Sequence, residues 1–331
     1  MKILVTGVSG QLGHDVMNEL AGRGIEAVGS DIGPVYGGIN DGTSVTTMPY
    51  VSMDITDRDM VDQVLTDVRP DAVIHCAAWT AVDAAEDEAN FEKVMRINEG
   101  GTRHIAETCK ALDAVMMYIS TDYIFNGKGT QPWTCSCTDY APLNVYGRSK
   151  LGGEEALRET LEKYFIVRIA WVFGKNGNNF IRTMLKVGKN HDHLRVVNDQ
   201  IGTPTYTKDL AALLCDMIVT DRYGVYHATN SELEGEPDQH TGDGTKCGYI
   251  SWYDFAKEIF RQAAERGHKE YDDAHLFVEP VTTAEYGLSK AARPSNSRLD
   301  KSKLRENGFR ALPDWSDALS RYLDEFDFDN M

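Results

Sequence analysis

Three side chains in the first half of the chain have the types needed to reduce a carbonyl. Tyr146 and Lys150 stand four residues apart in "LNVYGRSKLGGEEAL" (143–157), and residues at i and i+4 share a helix face one turn apart. An ammonium beside a phenol favours the phenolate, which makes Tyr146 a candidate proton shuttle near neutral pH. Moving a phenol from about 10 to about 7 takes roughly 4 kcal/mol. One lysine does not supply that, so a second positive charge has to contribute. Thr121 lies in "YISTDYIFNG" (118–127), at the carboxyl end of an expected strand, where ligands bind in open parallel sheets. Its hydroxyl is expected in the crevice that Tyr146 reaches. Thr121 and Tyr146 would then hold a carbonyl oxygen, Tyr146 would give the proton, and Lys150 would tune it. A surface Tyr–Lys pair and a plain strand-end threonine are the competing readings.

A partner for this chemistry is written in "MKILVTGVSGQLGHDV" (1–16). The apolar strand 2–6 runs into Gly7, Gly10 and Gly13, a helix pattern follows, and Asp31 ends the next strand. This is the context in which a glycine-rich turn binds a dinucleotide. Gly7 permits the tight turn, Gly10 lets the backbone approach a pyrophosphate lying on the helix N-terminus, and Gly13 lets helix and strand pack closely. Ser9, Gln11 and Leu12 complete that turn. The Asp31 carboxylate can accept from ribose hydroxyls and repels a 2′-phosphate. No Lys or Arg follows between residues 32 and 50, so electrostatics favours NADH over NADPH. The oxidised nicotinamide is then the second positive charge beside Tyr146.

The elements that must position these residues alternate along the chain. "KILVT" (2–6), "EAVGS" (26–30), "DAVIHCA" (71–77), "AVMMYIS" (114–120) and "FIVRIAW" (165–171) read as buried strands, with helical spacing over 12–20 and 61–68. The expected fold class is α/β, a Rossmann-type doubly wound parallel sheet with a smaller C-terminal α/β substrate-binding domain. Later, 194–199 and 224–229 read as strands, and 207–218 and 251–267 as helices. The expected division is interleaved: 1–170 with 206–229, and 171–205 with 230–331. Residues 32–50 read as a long polar loop, and 231–248 as an acidic loop or lid.

Bulk composition narrows the class. The chain has 331 residues and a formal net charge of −17, which argues against nucleic acid, whose binding neutralises phosphates with Lys and Arg. No apolar run approaches the roughly 18 residues of a membrane span. No charged start leads into an apolar stretch and cleavage site, and a cytoplasmic chain with reduced thiols is expected. Cys135 and Cys137 form a lone C-x-C pair, and His191 and His193 stand without cysteines nearby. No metal site is expected.

The segments "GVSGQLG" (7–13), "CAAWTAVDAAE" (76–86), "STDYIFNG" (120–127), "PLNVYGRSKLGGE" (142–154), "NGNNF" (176–180), "VNDQIGTPT" (197–205) and "RPSNSRLD" (293–300) together resemble the extended short-chain dehydrogenase/reductases. Within them, they resemble the family of dTDP-4-dehydrorhamnose reductases. The resemblance implies reduction of the C4 ketone of dTDP-4-dehydro-L-rhamnose to dTDP-L-rhamnose, a step of nucleotide-sugar biosynthesis. It implies Thr121, Tyr146 and Lys150 as the catalytic set, and Cys76, Ala77 and Ala78 beside the cofactor. Asp54 and Ile55 lie at the adenine, and Asn98 supports the site from a helix. Thr80 and Val82 lead towards the substrate; Asp122, Tyr123 and Trp171 line the sugar-nucleotide pocket. Family members commonly accept NADPH, in tension with Asp31. A homodimer is implied, with no surface patch in the sequence pointing to one.

A dianionic sugar nucleotide needs local positive charge in so acidic a chain, because salt hides charges beyond about 8 Å. "AARPSNSRLDKSK" (291–303) offers Arg293 and Arg298 for the diphosphate, with Lys301 and Lys303 read as solvated. The rivals are an epimerase or dehydratase of the same superfamily, and a non-catalytic subunit resembling the regulatory subunit of methionine adenosyltransferase. A dehydratase calls for Asp-Glu after the threonine, whereas Asp122 is followed by Tyr123.

Overall fold

The central sheet follows from strands that are apolar on both faces. In the computed structural model, which describes residues 1–231 and 248–329, seven strands pair in parallel: β1 Lys2–Thr6, β2 Glu26–Asp31, β3 Tyr50–Ser52, β4 Ala72–His75, β5 Val115–Thr121, β6 Tyr164–Ile169 and β7 Gly224–His227. Their spatial order is β7-β6-β5-β4-β1-β2-β3. Successive side chains point to opposite faces, so the strands feed two cores. Ile3, Val5, Ile74, Met117 and Val167 pack with helices α1 (Gln11–Gly22) and α6 (Thr207–Ile218). Leu4, Val73, Met116 and Ile166 pack with α2 (Arg58–Val68), α3 (Thr102–Leu112) and α4 (Val145–Thr160). Most of these side chains are fully buried, which is why the strands read as near-continuous apolar runs.

A third core forms from later chain. Helices α5 (Phe180–Gly188), α7 (Trp252–Glu265) and α8 (Trp315–Asp324) enclose Phe173, Ile181, Leu185, Tyr206, Phe255, Ile259 and Leu319. The short parallel pair Phe277–Val281 and His193–Val197 adds Leu194, Val196 and Val278 to it. Two details differ from the sequence reading. The stretch 32–50 ends in a strand, because Tyr50–Ser52 adds to the sheet edge beside β2; three half-buried residues carry no apolar run to announce it. The strand expected to reach 171 stops at Ile169, and Trp171 turns the chain with φ of 51°. Residues 232–247 of the acidic stretch lie outside the described residues, and the lid reading with them. No helix among the described residues is long and apolar enough to cross a membrane.

Strand order reverses between β1 and β4, which opens a crevice at the carboxyl edge of the sheet. Thr6, Asp31, His75, Thr121 and Ile169 all end strands on that edge.

Candidate active site

A single cavity of about 870 Å³ runs along this edge. One end is the glycine turn. Gly7 adopts φ of 71°, and a Cβ there would meet the Ala77 nitrogen at 2.6 Å; a Cβ on Gly13 would meet the Gly7 carbonyl at 2.3 Å. Only glycine fits either place. Gly10 caps α1 without a side chain bonded to the helix amides, so the N-terminus of this helix is open to an anion. Ser9, Gln11 and Leu12 line the cavity with the glycines, as do Asp31, Asp54, Ile55, Cys76, Ala77 and Ala78.

The middle of the cavity brings Thr121, Tyr146 and Lys150 together. Tyr146 and Lys150 share the face of α4, whose first turn is fixed by Asn144: its side chain accepts from the Gly147 amide at 2.8 Å and donates to the Ala292 carbonyl at 2.8 Å. Thr121 ends β5; its hydroxyl accepts from the Tyr123 amide at 3.2 Å and donates to Asp122 at 3.1 Å. The electrostatics differ from the sequence reading. Burial pushes the Tyr146 phenol up, helped by the charge of Asp122 and the neighbouring Tyr123 and opposed by Thr121. Lys150 is not among the groups acting on it. Burial pushes the Lys150 ammonium down to about 7, against the pull of Glu154 and Cys76. Lys150 has thus lost its charge before so raised a phenol ionises, and its Nζ sits over the Tyr118 ring at 4.1 Å from its centre. The protein alone therefore holds Tyr146 as a neutral phenol, the form that donates a proton. The Cys76 thiol is pushed up to about 12 by burial, so it stays protonated and is no nucleophile. Asp122 is buried, and its carboxyl is raised to about 7, chiefly by desolvation.

Asn98 does not line the cavity. It lies behind it, 1% exposed, in a π-helical turn over Arg96–Gly101, a feature that recurs at functional sites. Its side-chain oxygen accepts from the Trp79 amide at 2.8 Å, and its nitrogen donates to the Trp79 carbonyl at 3.1 Å and to Ser149 at 2.8 Å.

The far end takes in Thr80, Val82, Asp122, Tyr123 and Trp171. Trp171 is held in its left-handed conformation by stacking on Trp252, ring centres 3.7 Å apart, and strain of this kind concentrates at ligand sites. Arg293 stops short of the cavity lining; it pairs with Asp83 at 2.5 Å and reaches the Tyr123 hydroxyl at 3.5 Å. Arg298 is placed differently from the sequence reading. It is 2% exposed, donates to Asn296 at 3.1 Å and lies over Tyr249, away from the cavity. The amides and carbonyls of 296–300 are tied to Gly127, Ile201 and Trp133, so this basic segment is an internal strut. Lys301 and Lys303 are half-buried, over Tyr249 and Tyr226.

The cavity walls include residues that sequence reasoning missed: Thr6, Trp79, Phe180, Trp252, Phe255, and the cations Lys93 and Arg96. Lys93 and Arg96 form no ion pair among the described residues, although the chain is rich in carboxylates. Their i, i+3 spacing before Asn98 was the available signal.

Known proteins resemble this chain over nearly its whole length. The family model described as RmlD substrate binding domain matches residues 1–328. The chain belongs to the RmlD substrate binding domain family. Relatives of that family include the spore coat polysaccharide biosynthesis protein SpsK of Bacillus subtilis, 36% identical over 98% of this chain and 97% of that protein. The dTDP-4-dehydrorhamnose reductase of Aggregatibacter actinomycetemcomitans is 36% identical over 96% of this chain and 97% of its own length. A crystal structure of dTDP-4-dehydrorhamnose reductase from Bacillus anthracis, in complex with NADP, superposes with a TM-score of 0.81 at 36% identity, covering 98% of this chain and 99% of that one. The fold of the RmlD family is thus the fold expected here: a doubly wound parallel sheet with a further α/β part.

Proposed function

We propose that the protein is an NAD(P)H-dependent oxidoreductase that reduces the C4 ketone of dTDP-4-dehydro-L-rhamnose to give dTDP-L-rhamnose. The observation that carries this reading is one cavity lined by the glycine turn, Thr121, Tyr146 and Lys150. The named activity of the Aggregatibacter and Bacillus anthracis relatives, and the NADP bound in the latter, support it.

The residues fit a dinucleotide. A Cβ at Gly10 would meet only the Gly7 carbonyl, at 3.2 Å, and otherwise enter the cavity, so the missing side chain leaves a cradle for pyrophosphate at the start of α1. Gly7 to Gly13 would hold the phosphates, Asp31 the adenosine ribose, Asp54 and Ile55 the adenine, and Ala77 and Ala78 the stretch towards the reactive ring. When bound, the reduced nicotinamide supplies the hydride. The chain's own part concerns the oxygen and the proton. Thr121 and Tyr146 donate to the carbonyl oxygen, and Tyr146 gives its phenolic proton as negative charge develops there. Lys150, able to titrate near neutrality, would hold the nicotinamide ribose and balance the charge of the phenolate.

We also propose that the third core and its flanking segments, 171–205 and 230–331, form the sugar-nucleotide part, and that the enzyme works in the cytoplasm without nucleic-acid or membrane partners. The position after Asp122 is taken by Tyr123, edge-on to Tyr146 with ring centres 5.7 Å apart. A second acid is therefore missing, which favours simple reduction over dehydration. The test is loss of absorbance at 340 nm when the dTDP-4-keto sugar and reduced cofactor are mixed with the protein. No consumption of either cofactor overturns the proposal.

A further inference from the structure

We propose that His75 is a positioning residue for this reaction, fixed as one neutral tautomer that ties the backbone beside the cofactor to the helix carrying Tyr146. The inference deepens the proposed reduction and rests on it.

His75 ends β4 and is 1% exposed. Its ring lies between two threonine hydroxyls: Nδ1 is 2.7 Å from Thr6 Oγ1, and Nε2 is 3.3 Å from Thr102 Oγ1. Each hydroxyl has another bond, and the one at Thr102 sets the direction of the ring. Thr6 Oγ1 accepts from the Ala77 amide at 3.2 Å, which leaves its own proton for Nδ1. Thr102 Oγ1 donates to the Asn98 carbonyl at 2.6 Å, so it accepts from the ring and Nε2 carries the proton. The Thr102 end selects the tautomer, because that hydroxyl's one proton is already given to Asn98, and the Thr6 end, with its own proton still to give, accommodates it. Burial supports the neutral ring by pushing His75 down to about 3, with the Lys150 charge acting in the same sense.

The bonds form a closed circuit around the reactive end of the cavity. From the Ala77 amide they run through Thr6, His75 and Thr102 to the Asn98 carbonyl. The Asn98 side chain then clamps both backbone groups of Trp79 and donates to Ser149, whose hydroxyl donates to the Tyr146 carbonyl at 2.7 Å. Two walls that must stay aligned, Ala77–Trp79 and the first turn of α4, are thus referred to one buried ring. Without His75 both threonine hydroxyls lose a buried partner, and the two walls can shift relative to each other. A misplacement of about 1 Å between reacting groups costs roughly a hundredfold in rate.

The test has two arms. Nitrogen NMR of His75 in the ligand-free protein is expected to show the Nε2–H tautomer throughout the neutral range; the Nδ1–H tautomer or an imidazolium overturns the proposal. That arm needs no turnover, so it is read separately from any failure of the reductase reading. In the kinetic arm, His75→Phe is compared with Tyr226→Phe, a buried site in the same sheet whose hydroxyl donates to the Arg222 carbonyl. His75→Phe is expected to lower kcat about a hundredfold and to raise the cofactor KM. His75→Asn, whose Oδ1 takes the place of Nδ1, should restore the cofactor KM through Thr6 while kcat stays low. Kinetics for His75→Phe equal to those of Tyr226→Phe overturn the proposal. If His75→Phe does not fold, the tautomer and the Asn variant decide.

Discussion

The Ser9 amide donates to the Asp31 carboxylate at 3.0 Å, and the Ile32 amide donates to its other oxygen at 2.8 Å. The glycine turn and the end of β2 therefore share one fixed anion at the place where an adenosine ribose would lie. A 2′-phosphate there meets a like charge with no cation supplied by residues 32–50. NADH is expected to show the lower KM. Asp31→Ala should improve the NADPH to NADH ratio by about tenfold, measured as kcat/KM for each cofactor. The NADP-bound Bacillus anthracis relative makes the comparison decisive; clear preference for NADPH by the unaltered protein refutes the electrostatic reading.

Tyr146 donates the proton, so Tyr146→Phe is expected to lower kcat by about 10²–10⁴-fold. Cofactor binding, followed by fluorescence titration, should survive, because the turn that holds the phosphates is untouched. Retained turnover would remove the phenol from the mechanism.

Two buried charges should leave opposite signatures in stability. Asp122 is raised from 3.8 to about 7, so between those pH values the folded state holds a proton that the unfolded chain has lost, and stability falls as pH rises. Asp122→Asn should therefore raise Tm little near pH 4 and most above pH 7. Lys150 is lowered from 10.5 to about 7; the unfolded chain holds the extra proton over that range, and stability rises with pH. Lys150→Met should stabilise most below pH 7 and least near pH 10. Each full effect is on the order of a few kcal/mol, read from thermal melts across pH. Parallel slopes for the two variants would contradict the assigned burial.

Arg293→Ala should raise the KM for the sugar nucleotide about tenfold, the scale of losing one charge-assisted hydrogen bond, and leave the cofactor KM in place. The wall cations Lys93 and Arg96, which form no ion pair among the described residues, give the comparison. A larger effect from Lys93→Ala or Arg96→Ala would move diphosphate recognition to that wall and leave Arg293 as the partner of Asp83.

Much of the sheet was legible because its strands are buried on both faces and read as continuous apolar runs, such as Val115–Thr121. The glycine turn was legible because Gly7 and Gly13 sit where no side chain fits. Other parts were hidden for physical reasons. Tyr50–Ser52 is short and half-buried at an edge. Arg298 looked like a cation for the diphosphate because sequence does not reveal that the backbone around it is tied into the interior. The raised phenol of Tyr146 was missed because desolvation depends on everything packed around a group, whereas spacing gives only the neighbour at i+4. The Thr6–His75–Thr102 contacts join residues far apart in sequence, and no local pattern signals them.

The edge strand Gly224–His227 is made long after its neighbour Tyr164–Ile169, and Trp252 and Phe255 reach the cavity wall later still. During translation Tyr164–Ile169 must therefore stand as the sheet's edge, the place Gly224–His227 takes in the finished fold, while the intervening chain leaves the ribosome. An open edge of this kind invites pairing with other chains. Synthesis halted before residue 255 leaves a nascent protein that has its glycine turn and its phenol but no finished crevice.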